Sequence, residues 1–255
     1  MLSPHSPPPD APIHVPTDPA EIQHAQQVVV FAMATLAEQR ESDTESHILR
    51  VQRYVRALAT KLRSNPAFTD VLSPETIDVL CTSVPLYDMG SVGIPDRILL
   101  KPGRLTPDEV AIMRTHTTIG FEAIVRAEKT LGRPSPLLAI TKELVLSHQE
   151  KWDGSGYPQR LSGTRIPVSA RIMAIADVYD ALISNKVYKA GVPHDKAVQV
   201  IFGERGAHFD PDMVDAFIEI QDEFESIARR HADTDSDMQR KMEYMANAIA
   251  DHAEL

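Results

Sequence analysis

One segment of the chain, residues 168–184, is apolar on nearly every face of the helix that it is expected to form. A helix that is apolar all round is stable only when other elements cover it. No apolar run in the chain reaches the roughly 20 residues that a bilayer span needs. We therefore expect this segment to be a buried helix of a globular protein and predict no membrane span.

Helical periodicity and helix caps recur along the rest of the chain. Apolar residues follow one another at helical spacing over 48–62, and the patterns Ser-x-x-Glu at 42–45 and Thr-x-x-Glu at 106–109 are capping boxes. Further helices are expected over 20–40, 106–132, 135–148 and 210–230. We find no repeat and no β-rich stretch, so the predicted fold class is all-α.

The chain divides into four predicted parts. Residues 1–19 hold seven of the 19 prolines and are typical of a disordered tail. An N-terminal helix over 20–41, a main domain over 42–230 and an acidic C-terminal helix over 231–255 follow.

Charge and cysteine content exclude several classes of protein. The 36 Asp and Glu residues outnumber the 26 Lys and Arg residues, and a chain of net charge −10 is a poor binder of DNA. A single cysteine, Cys81, cannot close an internal disulfide. No signal-peptide pattern is present, so we expect a cytoplasmic protein.

Several residues suggest a metal site built from helices. Asp43 and His47 share a helix face, His148 points inward from an apolar helix, and Asp177 lies in the apolar segment 168–184, where an unpaired carboxylate is costly. Each has another explanation. A buried histidine can be a hydrogen-bonded core residue, Arg171 could pair with Asp177, and Asp43 suits a helix N-terminus.

The segment 148–158, which reads HQEKWDGSGYP, resembles the signature of the HD-GYP family. Further motifs of that family lie in the family's order on both sides of this segment, at 93–103, 116–120, 166–182 and 208–211, so the resemblance covers roughly 40–225. The family consists of bacterial cyclic di-GMP phosphodiesterases. The resemblance implies an HD-GYP-type helical bundle, with the proline-rich tail before it and the C-terminal helix after it.

The resemblance also implies a metal centre of iron or manganese, with Asp88 as the bridging carboxylate and catalytic residue. The family's ligand positions fall on Asp43, His47, Asp88, His116, His148 and Asp177. Tyr157 would contact a guanine of cyclic di-GMP, and Lys186 and Lys189 would hold its phosphates.

Three positions depart from the family pattern. Tyr87 replaces the histidine of the His-Asp pair, Ser91 replaces a lysine, and Gln149 replaces the second histidine of the His-His-Glu run. A phenol binds metal well only after losing a proton with a pKa near 10, and a glutamine amide is a weak donor. We therefore expect two iron or manganese ions or fewer, with a site that holds no ion as the alternative.

Three functions remain open at this point. The first is a degenerate HD-GYP protein that binds cyclic di-GMP, or a protein partner such as a diguanylate cyclase domain, with weak or no hydrolysis. The second is an active phosphodiesterase that uses a metal-bound hydroxide. The third is a helical scaffold whose acidic C-terminal helix drives homodimer formation.

Overall fold

The structure is a computed structural model that describes residues 18–38, 45–101, 103–132, 134–185, 190–237, 239–240 and 242–243. These residues form eleven α-helices and no strand, so the all-α prediction is confirmed. The helices are α1 (Pro19–Glu38), α2 (Glu45–Leu62), α3 (Pro74–Ser83), α4 (Asp96–Leu99), α5 (Pro107–Met113), α6 (His116–Leu131), α7 (Pro136–Ser147), α8 (Val168–Ile183), α9 (His194–Gly203), α10 (Pro211–Glu219) and α11 (Gln221–Arg230).

The apolar segment forms α8 and lies at the centre of the bundle, as its composition predicts. Every residue from 169 to 176 is buried. Helices α2, α7, α9 and α10 pack around it. Because α8 is enclosed in this way, a polar side chain on it must find its partner inside the protein.

An aromatic cluster fastens the C-terminal helices to this centre. Phe224 stacks on Tyr54, with ring centroids 4.6 Å apart, and Tyr179 meets both rings edge-on. Phe217 packs edge-on against Tyr179 and Phe224. Edge-on and offset contacts of this kind add to the free energy gained from burial alone.

Two segments that we predicted as single helices are each broken into two helices, so the predicted continuity is wrong there. The segment 106–132 forms α5 and α6, and the hydroxyl of Thr115 donates to the carbonyl of Ile112 at the break. Such side-chain bonds compete with the helix. The segment 210–230 breaks at Ile220, whose φ of −121° lies outside the helical region. Acidic residues in the first turn of α11 favour the new helix start.

Some predictions fall outside the described residues. These are residues 1–17 of the tail predicted over 1–19, residues 42–44 of the capping box predicted at 42–45, and the end of the acidic C-terminal helix, from 244 onward. The predicted tail is too long at its end, because α1 already begins at Pro19. The capping box at Thr106 is present as predicted. None of the helices that the structure describes combines the length and hydropathy that a bilayer span requires.

Candidate metal and nucleotide site

Two glycines allow the turn after α3 to lie directly against α6. A side chain on Gly90 would collide with the backbone carbonyl of His116, and one on Gly120 would collide with Val145 of α7. The two glycine backbones face each other at this contact. The absence of side chains therefore brings Asp88, two residues before Gly90, within reach of His116 at the start of α6.

Asp88, His116 and His148 meet at this contact. His116 Nε2 lies 3.4 Å from Asp88 Oδ1 and 3.3 Å from His148 Nε2. Both histidines are buried, and their ligand atoms and that of Asp88 all lie within 4.8 Å of one another. We name these three residues the triad. The ligand roles of its members remain a prediction from the sequence.

Both histidines of the triad present an Nε2 lone pair to the same point. His116 Nδ1 donates to the carbonyl of Met113 at 2.8 Å, and His148 Nδ1 donates to that of Leu144 at 3.0 Å. Burial lowers the pKa of His116, and burial together with His116 lowers the pKa of His148 to about 3, so both rings are neutral at pH 7. The tautomers follow from these hydrogen bonds. Two facing lone pairs repel each other, and a cation between them removes the repulsion.

The remaining histidine of the predicted ligand set lies in a hydrogen-bonded network. His47 Nδ1 is 2.7 Å from Asp180 Oδ2, and its Nε2 is 3.0 Å from the hydroxyl of Tyr87. The same hydroxyl donates to Asp177 Oδ1 at 2.9 Å. Both ring nitrogens of His47 therefore contact protein groups, and Tyr87 links His47 to Asp177.

Asp180 anchors this network from the centre of the bundle. Arg50 donates to its two carboxylate oxygens at 2.6 and 2.8 Å, and the hydroxyl of Ser184 donates at 3.1 Å. Burial raises the pKa of Asp180, but the hydrogen bonds and charges of Arg50 and His47 outweigh it and hold the pKa at about 2. We name His47, Arg50, Tyr87, Asp177 and Asp180 the network.

The ring of Tyr87 separates the triad from the network. It meets the ring of His148 edge-on, with centroids 5.2 Å apart and planes at 87°. Its hydroxyl faces the other way, toward His47 and Asp177. The phenol ring therefore fills the space between the two groups of predicted ligands.

Tyr157 lies at the edge of the triad, in the loop that follows α7. Its ring centroid is 6.1 Å from that of His116, and the guanidinium carbon of Arg114 is 4.9 Å from the Tyr157 centroid. Burial, with the charge of Asp88 adding to it, raises the pKa of Tyr157 to about 12, so the phenol stays neutral. An aromatic face beside a cation suits a nucleotide base and its phosphate.

Glu150 holds the loop that carries Tyr157. Its buried carboxylate accepts from the backbone N–H of Gln159 at 2.7 Å and of Leu161 at 3.0 Å. The backbone of Trp152 donates to the carbonyl of His208 at 2.9 Å, which ties the loop to the motif at 208–211. The loop is therefore held in two ways, by the carboxylate of Glu150 and by the backbone contact with His208.

Sequence reasoning missed four of these residues: Arg50, Arg114, Glu150 and Asp180. Asp180 lies in the same apolar segment as Asp177, so the burial argument applied to Asp177 could have found it. The alternative in which Arg171 pairs with Asp177 is wrong, because Arg171 Nη1 donates to Asp210 Oδ2 at 2.5 Å. Arg114 carries no signal of its own in the sequence.

The other predicted site residues are placed as follows. Ser91 is buried, and its hydroxyl makes no hydrogen bond within the part of the chain that the structure describes. Gln149 is half-buried, and its backbone carbonyl accepts a hydrogen bond from the backbone N–H of Tyr157 at 3.2 Å. Asp43, Lys186 and Lys189 lie outside the described residues.

An all-α bundle with histidine and aspartate side chains gathered beside its central helix defines a helical protein of the HD type. A sequence profile described as "HD domain" matches residues 32–213. The chain belongs to the HD domain family, and the resemblance to its HD-GYP members is confirmed.

Two relatives from Vibrio cholerae serotype O1 carry names that concern cyclic di-GMP. One, named "Probable cyclic di-GMP phosphodiesterase", is 50% identical over 218 residues, which are 86% of this chain and 49% of the relative. Another, named "Cyclic di-GMP phosphodiesterase", is 48% identical over 213 residues, which are 84% of this chain and 43% of the relative. This chain thus spans about half the length of these curated relatives.

A solved structure supports the fold. It is titled as a cyclic GMP-AMP specific phosphodiesterase of V. cholerae and is 20% identical, with a TM-score of 0.53. The match covers 85% of this chain and 53% of that one. At this identity the likeness concerns the fold alone.

Proposed function

We propose that this chain is a cyclic di-GMP signalling protein that holds one iron or manganese ion in the triad and binds the nucleotide with weak or no hydrolysis. One observation carries this proposal. The Nε2 atoms of His116 and His148 converge on a single point, whereas His47 and Asp177 both bond to the hydroxyl of Tyr87. Three of the six predicted ligands are therefore arranged for an ion, and two others, His47 and Asp177, are joined by a phenol.

The donor atoms of the triad fit a divalent ion. Two nitrogen ligands at about 2.1 Å from one ion are roughly 3.0 to 3.4 Å apart. The Nε2 atoms of His116 and His148 are 3.3 Å apart, and the carboxylate of Asp88 supplies an oxygen beside them. Two imidazoles and a carboxylate suit iron, manganese or zinc, and an ion held there would supply Lewis acidity toward a phosphodiester.

The residues around the triad would bind and orient a cyclic dinucleotide. The guanidinium of Arg114 lies over one face of the Tyr157 ring and brings positive charge there, and the other face would be the stacking surface for a guanine. Lys186 and Lys189 are the positions at which we expect further phosphate contacts. The buried Ser91 cannot supply the positive charge of the lysine that the family has there, which supports slow turnover.

Active hydrolysis of cyclic di-GMP is the second candidate function. The names of relatives about 50% identical to this chain favour it, and so does the retention of His116, His148 and Asp88. In that case the triad alone would suffice, and Tyr87 would act as a structural residue beside it.

Turnover separates the two functions. Anaerobically purified protein is incubated with Fe(II) or Mn(II) and cyclic di-GMP, and the nucleotides are quantified beside the variants Asp88→Ala and Tyr87→His. The proposal predicts nucleotide binding, at most trace product from the native chain, and faster turnover in Tyr87→His. Rapid product formation that disappears in Asp88→Ala would establish the second candidate instead.

Binding is measured separately by titration calorimetry. Tyr157→Ala should weaken cyclic di-GMP binding at least about tenfold, because stacking of a base on an aromatic ring is worth about 1 to 3 kcal/mol. Replacing Lys186 and Lys189 together with alanine should also weaken binding, because these are the expected phosphate contacts. Neither binding nor turnover in a folded, metal-loaded protein would contradict both functions and leave a protein partner as the ligand.

A further inference from the structure

Helix α1 exposes far more apolar surface than a helix packed on a monomer normally does. Ile22, Val28, Val29, Met33 and Leu36 are each between 42% and 64% exposed. Monomeric proteins rarely expose contiguous apolar patches larger than a few hundred Å². Five large apolar side chains within 15 residues of one helix therefore mark a surface suited to an apolar partner.

The exposed residues follow a coiled-coil repeat. Ile22, Ala25, Val29, Ala32 and Leu36 are separated by three, four, three and four residues, and all five are exposed. This is the spacing of the a and d positions of a heptad, with Ile, Val and Leu at a and the two alanines at d. Small residues at d let two helices approach closely. We name these five residues the seam.

The opposite side of α1 is used by the domain itself. Ala34 and Ala37 are buried, and α1 contacts α2 and the two short helical turns Val84–Leu86 and Met89–Gly93. The seam therefore faces outward because the helix is already fixed on its other side. Folding of the domain does not require the seam to be covered.

The charge pattern identifies the partner. Between Glu21 and Glu38 the helix carries no Asp, Glu, Lys or Arg, although the chain as a whole has a net charge of −10. Two copies of so acidic a chain repel each other over most of their surface, and a neutral face lets them approach. An oppositely charged partner would find nothing to pair with along the seam. A second copy supplies the same heptad spacing, which two helices need in order to interlock.

We propose that two copies of this chain associate through the seam of α1. The contact pairs two uncharged apolar helix faces, and the residues flanking the seam, Val28 and Met33, extend it on both sides. The two short turns under α1 end at Leu86 and begin at Met89, directly beside Tyr87 and Asp88. The contact between copies thus lies one helix away from the triad and the network.

The test is the mass of the full chain in solution, measured by light scattering and by sedimentation over a wide range of protein concentration. We expect twice the chain mass of 28.3 kDa. The variants Val29→Glu and Leu36→Glu should give the monomer mass, because each places two like charges in the contact. Val71→Glu, at a residue 49% exposed outside α1, is the matched control and should remain a dimer.

Two results would overturn the proposal. One is a native chain that is monomeric at every concentration, which would mean that residues 1–17 or a different protein cover the seam. The other is a dimer that survives Val29→Glu and Leu36→Glu combined, which would place the contact elsewhere. Circular dichroism of each variant verifies that the change of mass is not a loss of folding, since the substituted residues are exposed.

Discussion

The triad and the network lie side by side and contain similar residues, yet their polar atoms are used differently. In the triad, backbone carbonyls accept hydrogen bonds from the Nδ1–H groups of both histidines, so the Nε2 atoms of His116 and His148 are left to face each other. In the network, both nitrogens of His47 contact protein side chains. The residue types alone therefore do not decide whether a cluster can hold an ion, because the outer hydrogen bonds decide where the lone pairs point.

A single side chain separates these two arrangements. Tyr87 occupies the position at which the family pattern has a histidine, and its hydroxyl joins His47 to Asp177. The difference between the triad and the network can be tested by substitution. Substitutions in the network should cost stability and leave the ion in place, whereas substitutions in the triad should cost the ion.

The largest expected effect is on stability, from Asp180→Ala. Removing this carboxylate leaves the buried guanidinium of Arg50 without two of its acceptors, and breaking a buried ion pair costs about 3 to 5 kcal/mol. Urea unfolding measures the change. Asp78→Ala breaks the exposed pair with Arg56 and should cost less than about 1 kcal/mol. Equal losses in the two variants would contradict a central role of the network.

The next effect is on metal affinity, from His148→Gln. Replacing a proposed ligand should weaken Mn(II) binding at least about 100-fold, since loss of even an outer-shell partner costs about 10- to 100-fold. Metal analysis after dialysis checks this. His194→Gln, which removes a half-buried imidazole bonded to Tyr179, is the control and should keep its metal. His47→Gln should also keep its metal, because His47 belongs to the network. Loss of the ion in this variant would show that His47 is a ligand.

The sequence predicts the fold class because its residues lie in motifs with local structure. The capping box at Thr106, the glycines at 90 and 120 and the apolar helix α8 are all visible as patterns, and the fold class follows from them. The pairing of Arg50 with Asp180, 130 residues away, is not visible in this way, because nothing local specifies it. The break between α5 and α6 was missed because a threonine side-chain bond ends a helix without a glycine or proline.

A smaller loss of stability is expected from Glu150→Gln. The carboxylate accepts from two backbone N–H groups, and an amide can accept from only one of them with its oxygen while its NH₂ faces the other donor. One unsatisfied buried donor costs about 1 to 3 kcal/mol. Trypsin cleavage after Lys151, Arg160 or Arg165 should also become faster. Glu143→Gln, which alters an exposed carboxylate bonded to Ser169, is the control.

The triad should also make stability depend on pH when no metal is bound. Burial lowers the pKa of His116 and, with His116 adding to it, lowers that of His148 to about 3, whereas unfolded histidines titrate near 6.5. Below about pH 6.5 the unfolded chain binds protons that the folded chain does not, so the free energy of unfolding falls as the pH falls. In EDTA, His148→Gln should reduce this slope by about 1.4 kcal/mol per pH unit between pH 6 and 5. Identical slopes in the two proteins would show that His148 is not buried as a neutral ring.

The smallest effect is expected from Tyr87→Phe, and it tests the boundary between the two regions directly. The ring stays against His148, so the triad should keep its ion, and the loss of one hydroxyl should cost about 1 kcal/mol in unfolding experiments. Tyr87→His differs by offering a ligand atom where the phenol stood, and it should raise the metal content from one ion to two. If the two variants bind the same amount of metal, Tyr87 is not what keeps His47 and Asp177 from holding an ion. The difference between the triad and the network would then originate deeper in the bundle, where Arg50 and Asp180 fix the orientation of His47.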